Sequence, residues 1–149
     1  MVNALCGIAF ETLAVAILRG RHCEDVRAGL EVRWGDTTRD VDASGRIEDR
    51  WQVIECKALG AAKSVDEAMI KKFYTETVPG FLDHVGRNDM KESQAQIWTT
   101  GIVSPEAEAY FKSLRHDRRV QPAILTRKEI ELPRRMKKLG RLLDVIATL

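Results

Sequence analysis

The sequence has few cysteines. Only Cys6, Cys23 and Cys56 occur among 149 residues, and they form no Cys-x-x-Cys pair and have no histidine at a metal-ligand spacing. A disulfide framework or a zinc site usually needs ligands in closely spaced pairs. The cysteines therefore fit a reduced cytosolic protein and argue against a zinc site.

A long apolar run is also lacking. The most apolar stretch, Ile8 to Leu18, carries Glu11 in its middle and has no basic segment before it. Such a stretch is too short to span a bilayer and does not have the basic start of a secretory signal. We therefore expect a soluble protein of the cytoplasm with no membrane partner.

Neither sign of charge is in large excess. The chain has 24 basic and 22 acidic residues, so the whole molecule shows no strong preference for a polyanionic partner. Basic residues are nevertheless concentrated between Arg115 and Arg141. This basic end is either a nucleic-acid face or a solvated surface.

The length and composition fit one domain. With 149 residues, of which 44% are hydrophobic and 31% charged, the chain can bury one core but not two, so we treat 1–149 as a single domain. The patterns predict the following elements. These are a helix over 7–19, strands over 27–34, 39–43 and 50–58, a helix from the Ser64–Glu67 capping box, a strand over 95–100, a helix from Ser104-Pro105, an edge strand over 120–126 and, after a Thr126–Glu129 capping box, a basic helical tail over 128–149. Pro79-Gly80 is expected either to end the helix that starts at Ser64–Glu67 or to break it, and 81–85 is a candidate for one more helical turn. This order predicts an α/β fold with a mixed central sheet flanked by helices.

Three local expectations complete this description. Ser44-Gly45 is expected to end the second strand in a turn. Within that strand, Val41 and Ala43 are expected on one face and Asp40 and Asp42 on the other. The helix after the third strand is expected to bury Val65, Ala68, Met69 and Phe73, with Lys71 and Lys72 beside this stripe.

The third strand, Arg50 to Ala58, combines an apolar body with two charges. Because side chains alternate along a strand, Trp51, Val53, Glu55 and Lys57 share one face, while Ile54 and Cys56 lie on the other. Charges at the end of an apolar strand are costly unless they are paired or bind a metal. Glu55 and Lys57 therefore form either a weak ion pair at a solvated end or part of a site, with Cys56 in the core.

The second strand can bring a further carboxylate to Glu55. If it pairs with the third strand as a hairpin, Asp42 approaches Glu55 on one face of the sheet. Two close carboxylates need a cation between them, and oxygen ligands favour Mg²⁺ or Mn²⁺. Glu11 lies in a helix that is apolar on nearly all sides, and is either at a wet end or held by a cation. Lys57 could then orient a water or stabilise the charge that develops on a phosphate.

These residues carry a family resemblance. Val41-Asp42-Ala43, followed by Val53-Ile54-Glu55-Cys56-Lys57, resembles the motif of PD-(D/E)XK nucleases, the restriction-endonuclease-like superfamily; Glu55 follows Asp42 by 13 positions. Gly7-x-x-Phe10-Glu11 is similar to the first-helix segment in which many members carry a metal-binding glutamate. Val41 replaces the proline of the motif.

The second half of the chain resembles one branch of this superfamily. Trp98-Thr99-Thr100-Gly101 and Ser104-Pro105-Glu106-Ala107 look like the C-terminal half of Mrr-type restriction endonucleases. The resemblance spans Gly7 to about Leu132 and implies an αβββαβ core.

The resemblance implies a Mg²⁺- or Mn²⁺-dependent nuclease, with DNA endonuclease as the expected activity. Asp42 and Glu55 would ligate the metal with the backbone carbonyl of Cys56, Glu11 would assist directly or through water, and Lys57 would act at the attacking water. Asp40 is the alternative to Asp42. Phosphate contacts would come from Lys71, Lys72, Arg134, Arg135, Lys137 and Lys138.

Other functions share these residues. A Holliday-junction resolvase or an RNA-cutting member of the superfamily would have the same fold and catalytic set. A different class is a non-catalytic nucleic-acid-binding subunit of a larger complex, although the presence of all four ionisable residues argues against it. Size and resemblance lead us to expect a homodimer that cuts both strands of DNA.

Overall fold

The computed structural model describes residues 2–60, 62–86, 92–133, 136, 141, 144 and 145, with only the backbone of residues 2–5. Its helices and strands follow the predicted order. They are α1 Val2–Gly20, β1 Glu24–Trp34, β2 Thr37–Ile47, β3 Arg50–Lys57, α2 Glu67–Lys72, a π-helical segment Phe73–Thr77, α3 Val78–His84, β4 Ser93–Thr99, α4 Pro105–Ser113 and β5 Val120–Leu125.

The strands form one mixed sheet in the order β1-β2-β3-β4-β5. The first three strands are antiparallel, and β3, β4 and β5 run parallel. The predicted mixed sheet is therefore confirmed. Pro122 lies on β5 at an edge of the sheet, as expected for a residue that cannot donate to a ladder.

Helices cover both faces of the sheet and create two cores. On one face α1 buries the predicted stripe, with Phe10, Ile17 and Leu18 fully buried against Ile54 and Trp98 of the sheet. On the other face α2, the π-helical segment, α3 and α4 pack over Val53 and its neighbours. The alternation predicted for β3 is thus confirmed, because Val53 and Ile54 lie in different cores. In the described part of the chain, no helix is long and apolar enough to cross a membrane.

The turn expected at Ser44-Gly45 was wrong. β2 continues to Ile47, and Glu48, with a φ of +54°, lies in the turn. Gly45 is buried within the strand. A Cβ at this position would lie only 3.1 Å from Cys23 and 3.2 Å from Val26, so these two residues pack closely on the glycine. The glycine serves close packing rather than a change of direction.

The faces expected for Val41 and Ala43 were also wrong. Val41 lies in the core under the π-helical segment, whereas Ala43 lies in the core under α1. Alternation breaks at Asp42, between the pairs Ala28↔Ala43 and Leu30↔Val41. Gly29, between the two partners on β1, has a φ of +63°, a conformation that glycine adopts readily. The side chains of β2 thus change direction at Asp42, opposite this glycine.

The helix after β3 departs from prediction at its start and at one position of its buried stripe. Asp66 caps it by accepting from the Met69 N–H at 2.8 Å, while Ser64 instead forms an isolated bridge with Ile102. Val65, Met69 and Phe73 of the predicted stripe pack in the core as expected, whereas Ala68 is exposed and Ile70 is buried. Of the two outcomes expected near Pro79, which has no N–H to donate, the structure has the break: a π-helical segment interrupts the α-helix and the chain continues as α3.

The end of the described chain also differs. After β5, Thr126 and Glu129 hydrogen-bond to each other as in a capping box, yet the residues between them form only a turn. Most of the predicted helical tail, including Arg134, Arg135, Lys137 and Lys138, lies outside the described residues.

Candidate active site

The candidate site lies where β2 and β3 stop pairing. Their last paired residues are Ala43 and Ile54, although β2 extends back to Thr37 and β3 continues to Lys57. Beyond this pair the Asp42 side chain replaces the ladder, because its Oδ2 accepts the backbone N–H of Cys56 at 2.8 Å. The two strands therefore form a fork with Asp42 at its base.

Three carboxylates from three elements meet at this fork. Asp42 of β2 lies close enough to Glu11 of α1 and Glu55 of β3 for its charge to raise the pKa of both. Asp40 adds its charge from nearby on β2. The structure thus brings together the acidic residues that the sequence singled out, and the charge that acts on Glu55 from β2 is that of Asp42 rather than that of Asp40.

The pKa values of the three carboxyls are raised. Burial, reinforced by the charge of Asp42, raises the pKa of Glu11 to about 7 and that of Glu55 to about 8. Burial also raises the pKa of Asp42, although the hydrogen bond from Cys56 opposes the rise. At neutral pH the cluster therefore retains protons that isolated carboxyls would have lost.

A cleft of about 500 Å³ opens beside this cluster. We call it the carboxylate cleft, and its charged lining consists of Arg39, Asp40, Asp42, Glu55, Lys57, Asp66 and Lys72. Lys57 is the cation whose charge lowers the pKa of Glu55, against the larger effect of burial. Acidic and basic side chains therefore line the same space. The carboxylates suit a bound cation, and the lysine and arginine side chains suit the phosphate that the cation contacts.

The structure distinguishes two adjacent lysines on α2. Both Lys71 and Lys72 are exposed, but only Lys72 lines the carboxylate cleft among the described residues. The sequence left the choice between them open because both flank the predicted stripe.

Arg39 is a candidate that the sequence did not single out. It lines the same cleft, and its Nε donates to Glu76 Oε2 of the π-helical segment at 3.0 Å. The sequence feature that could have identified Arg39 is its position on β2 two residues before Val41. Residues two apart in a strand share a face, and Val41 is buried beneath the π-helical segment.

The backbone of β3 adds an oxygen to the fork. In a strand the N–H and C=O of one residue point toward the same neighbour. The Cys56 N–H points to Asp42, so the Cys56 carbonyl faces the fork as well. Its side chain packs in the core under α1, as predicted, and burial raises the pKa of its thiol well above the usual value.

The chemistry of these donors fits a hard divalent cation. Carboxylates and a carbonyl are the ligands that Mg²⁺ and Mn²⁺ prefer, and a cation would relieve the repulsion that raises the pKa values. In the described residues no three His, Cys, Asp or Glu side chains already form a metal-ligating group.

Comparisons with known proteins identify the fold. No protein-family model and no curated protein matches the sequence significantly. The structure resembles the crystal structure of AF1548, a protein of unknown function, with a TM-score of 0.51 and 20% identity over 82% of this chain and 60% of that one. It also resembles Can2 from Sulfobacillus thermosulfidooxidans in complex with cyclic tetra-adenylate, with a TM-score of 0.53 and 15% identity over 96% of this chain and 36% of that one.

The chain therefore spans less than two thirds of the length of either protein. At such low identity the likeness concerns the fold. The αβββαβ order and the mixed five-stranded sheet flanked by helices confirm the predicted restriction-endonuclease-like core.

Proposed function

We propose that this protein is a Mg²⁺-dependent nuclease that hydrolyses phosphodiester bonds, acting as an endonuclease on DNA. The observation that carries the proposal is the meeting of Glu11, Asp42 and Glu55 at the fork, with Lys57 beside them. A purely structural role does not account for three carboxyls with raised pKa values, because like charges brought together destabilise the fold. The PD-(D/E)XK-like motif falls on the same residues.

The metal would be held by Asp42, Glu55 and the Cys56 carbonyl, with Glu11 assisting directly or through water. When bound, Mg²⁺ or Mn²⁺ would polarise the phosphate and lower the pKa of a nearby water. Asp42 is suited to this role because the Cys56 N–H fixes its orientation. Asp40 borders the cleft but is exposed, which supports Asp42 over Asp40 as the ligand.

The remaining side chains of the cleft would act on the substrate. Lys57 would orient the attacking water and stabilise the charge that develops on the phosphate. The water oxygen forms a new bond to phosphorus, the bond from phosphorus to one sugar oxygen breaks, and that oxygen gains a proton. Lys72 and Arg39, which also line the cleft, would hold neighbouring phosphates.

A panel of substrates tests the proposal. Supercoiled plasmid, a branched DNA junction, single-stranded DNA and RNA would be incubated with purified protein and Mg²⁺, Mn²⁺ or EDTA. We expect plasmid DNA to be cut with either metal and not with EDTA. Preferential cutting of the junction or of RNA would instead indicate a resolvase or a ribonuclease of the same superfamily. Binding without cutting any substrate would contradict the enzyme and favour a nucleic-acid-binding subunit.

The proposal includes a homodimer and kinship with Mrr-type enzymes. A dimer would place two carboxylate clefts on one duplex, so that both strands are cut. Analytical ultracentrifugation with and without DNA should show a species of twice the chain mass. A monomer under both conditions would contradict the dimer.

A further inference from the structure

A second cavity shares Lys57 with the carboxylate cleft. Its volume is about 300 Å³, and its walls come from the first half of α1 and from the loop that follows β3. We call it the lysine groove and define it by Gly7, Lys57, Gly60 and Lys63. Because Lys57 borders both spaces, the groove begins where the carboxylate cleft ends.

The groove and the cleft differ in charge. Among the described residues, the lining of the groove includes Lys57 and Lys63 but no carboxylate, whereas four acidic residues line the cleft. A concave surface with charge of one sign concentrates ligands of the opposite sign. The groove is therefore suited to an anion that needs no metal to approach.

The walls of the groove leave room for a polymer backbone. Among the described residues, no atom would lie within 4 Å of a Cβ added at either Gly7 or Gly60. Gly7 precedes Glu11 by four residues, so both lie on the same face of α1. The two glycines in the lining permit the close approach that a sugar-phosphate chain makes.

The loop that forms the groove is anchored at several points. Thr100 Oγ1 accepts the Leu59 N–H at 2.9 Å and donates to the Leu59 carbonyl at 2.7 Å. The Ile102 N–H donates to the carbonyl of Lys63 at 2.8 Å, and the Lys63 N–H donates to Gly60 at 2.9 Å. The end of β4 thus holds the loop in place, so the groove is formed before any ligand binds.

We propose that the lysine groove binds the nucleic-acid backbone on one side of the scissile phosphate, with Lys63 contacting a phosphate that is not cleaved. The substrate strand then passes from the carboxylate cleft over Lys57 into the groove. This inference depends on the proposed nuclease function and extends it to a subsite and a positioning residue.

Two pairs of variants test the groove. Lys63→Ala removes the charge of Lys63 from the groove. Lys112→Ala is the control for loss of a surface lysine, since Lys112 is exposed on α4, where it pairs with Glu108, and lines neither space. Gly7→Leu fills the groove from a helical position with open space, and Gly7→Ala at the same position leaves most of the groove open. Thermal melts of all four variants check that folding is retained.

The readout is the affinity for labelled oligonucleotides, measured by fluorescence anisotropy with Ca²⁺ in place of Mg²⁺ and with probe integrity checked on a gel. One probe extends to both sides of the cleavage site mapped with Mg²⁺, and two shorter probes each end at that site. We expect Lys63→Ala to lower the affinity for the long probe about five- to tenfold. The slope of log affinity against log salt concentration should fall in magnitude by about 1, as for loss of one phosphate contact. The affinity for one of the two shorter probes should not change in Lys63→Ala. Gly7→Leu, but not Gly7→Ala, should also lower the affinity for the long probe.

The contrary outcomes separate the two proposals. Suppose that the wild type cuts DNA, but that Lys63→Ala binds the long probe as the wild type does or loses affinity equally for all three probes. The groove proposal is then wrong, and the proposed nuclease function is unaffected. If the wild type cuts no substrate, both proposals are wrong.

Discussion

The Asp42 carboxylate accepts a hydrogen bond from the backbone N–H of Cys56 at 2.8 Å, at the point where β2 and β3 separate. A side chain thereby takes the place of the strand ladder. The bond fixes the orientation of Asp42, which lines the carboxylate cleft and whose charge acts on both Glu11 and Glu55. Because one interaction serves both the fold and the site, substitutions at Asp42 can separate the two.

Asp42→Asn should abolish activity without unfolding the protein. The amide oxygen can still accept the Cys56 N–H, while the charge that repels Glu11 and Glu55 is lost. Asp42→Ala should also destabilise the fold by about 1–3 kcal/mol, the usual result of leaving a buried N–H unpaired. Urea denaturation in EDTA compares the two variants. Equal stability of Asp42→Ala and Asp42→Asn would contradict the structural part of this account.

Stability without metal should fall as the pH rises. In the folded protein the pKa of Glu11 is about 7 and that of Glu55 about 8, above the usual 4.5. Each carboxyl thus contributes stability that is fully present below about pH 4.5 and is lost as the pH rises through 7 to 8. Urea denaturation in EDTA should show a lower free energy of unfolding at pH 8 than at pH 5. Glu55→Gln, which does not titrate, should reduce that difference; an unchanged pH profile would contradict the assigned cluster.

Mg²⁺ should stabilise the folded protein and should do so through Asp42. A ligand that binds only the folded state adds about 2.7 kcal/mol at a free concentration of about 100 times Kd. Thermal melts over a Mg²⁺ titration should show a rising midpoint for the wild type and for Asp40→Asn. The midpoint of Asp42→Asn should not rise. The opposite pattern for the two aspartates would identify Asp40 as the ligand.

Lys72 and Lys71 should differ in their effect on substrate binding. Both lysines are exposed, but of the two only Lys72 borders the carboxylate cleft. Lys72→Ala should raise KM several-fold and lower the salt slope by about 1, with little change in kcat. Lys71→Ala is the matched control and should behave as the wild type in steady-state kinetics. Equal effects of the two substitutions would mean that general surface charge, and not the cleft, binds the phosphates.

The sequence was sufficient to predict most helices and strands and to single out the residues of the carboxyl cluster. The burial of Phe10 and Ile17 follows from helical spacing, and the faces of Val53 and Ile54 follow from alternation in β3. The motif resemblance then led to Glu11, Asp42, Glu55 and Lys57, which the fold brings to one fork.

What the sequence could not predict depends on contacts between distant segments. Ser44-Gly45 has the composition of a turn, but Cys23 and Val26 pack so closely on Gly45 that the strand continues. The change of face at Asp42 occurs opposite Gly29, which has a positive φ on the neighbouring strand. The distinction between Lys71 and Lys72 depends on how α2 lies over the sheet. None of these relationships has a local pattern that predicts it.

The central claim is that the residues at the fork carry out metal-dependent hydrolysis. The most direct measurement is the single-turnover cleavage rate of supercoiled plasmid in Mg²⁺ by the wild type and by Lys57→Ala, with the Mg²⁺-dependent rise in melting midpoint measured for both. We predict that Lys57→Ala retains the rise but cleaves about 100- to 1,000-fold more slowly, as for loss of one group that stabilises the transition state. Cleavage by Lys57→Ala at the wild-type rate, or by the wild type at the same rate in EDTA, would contradict the account.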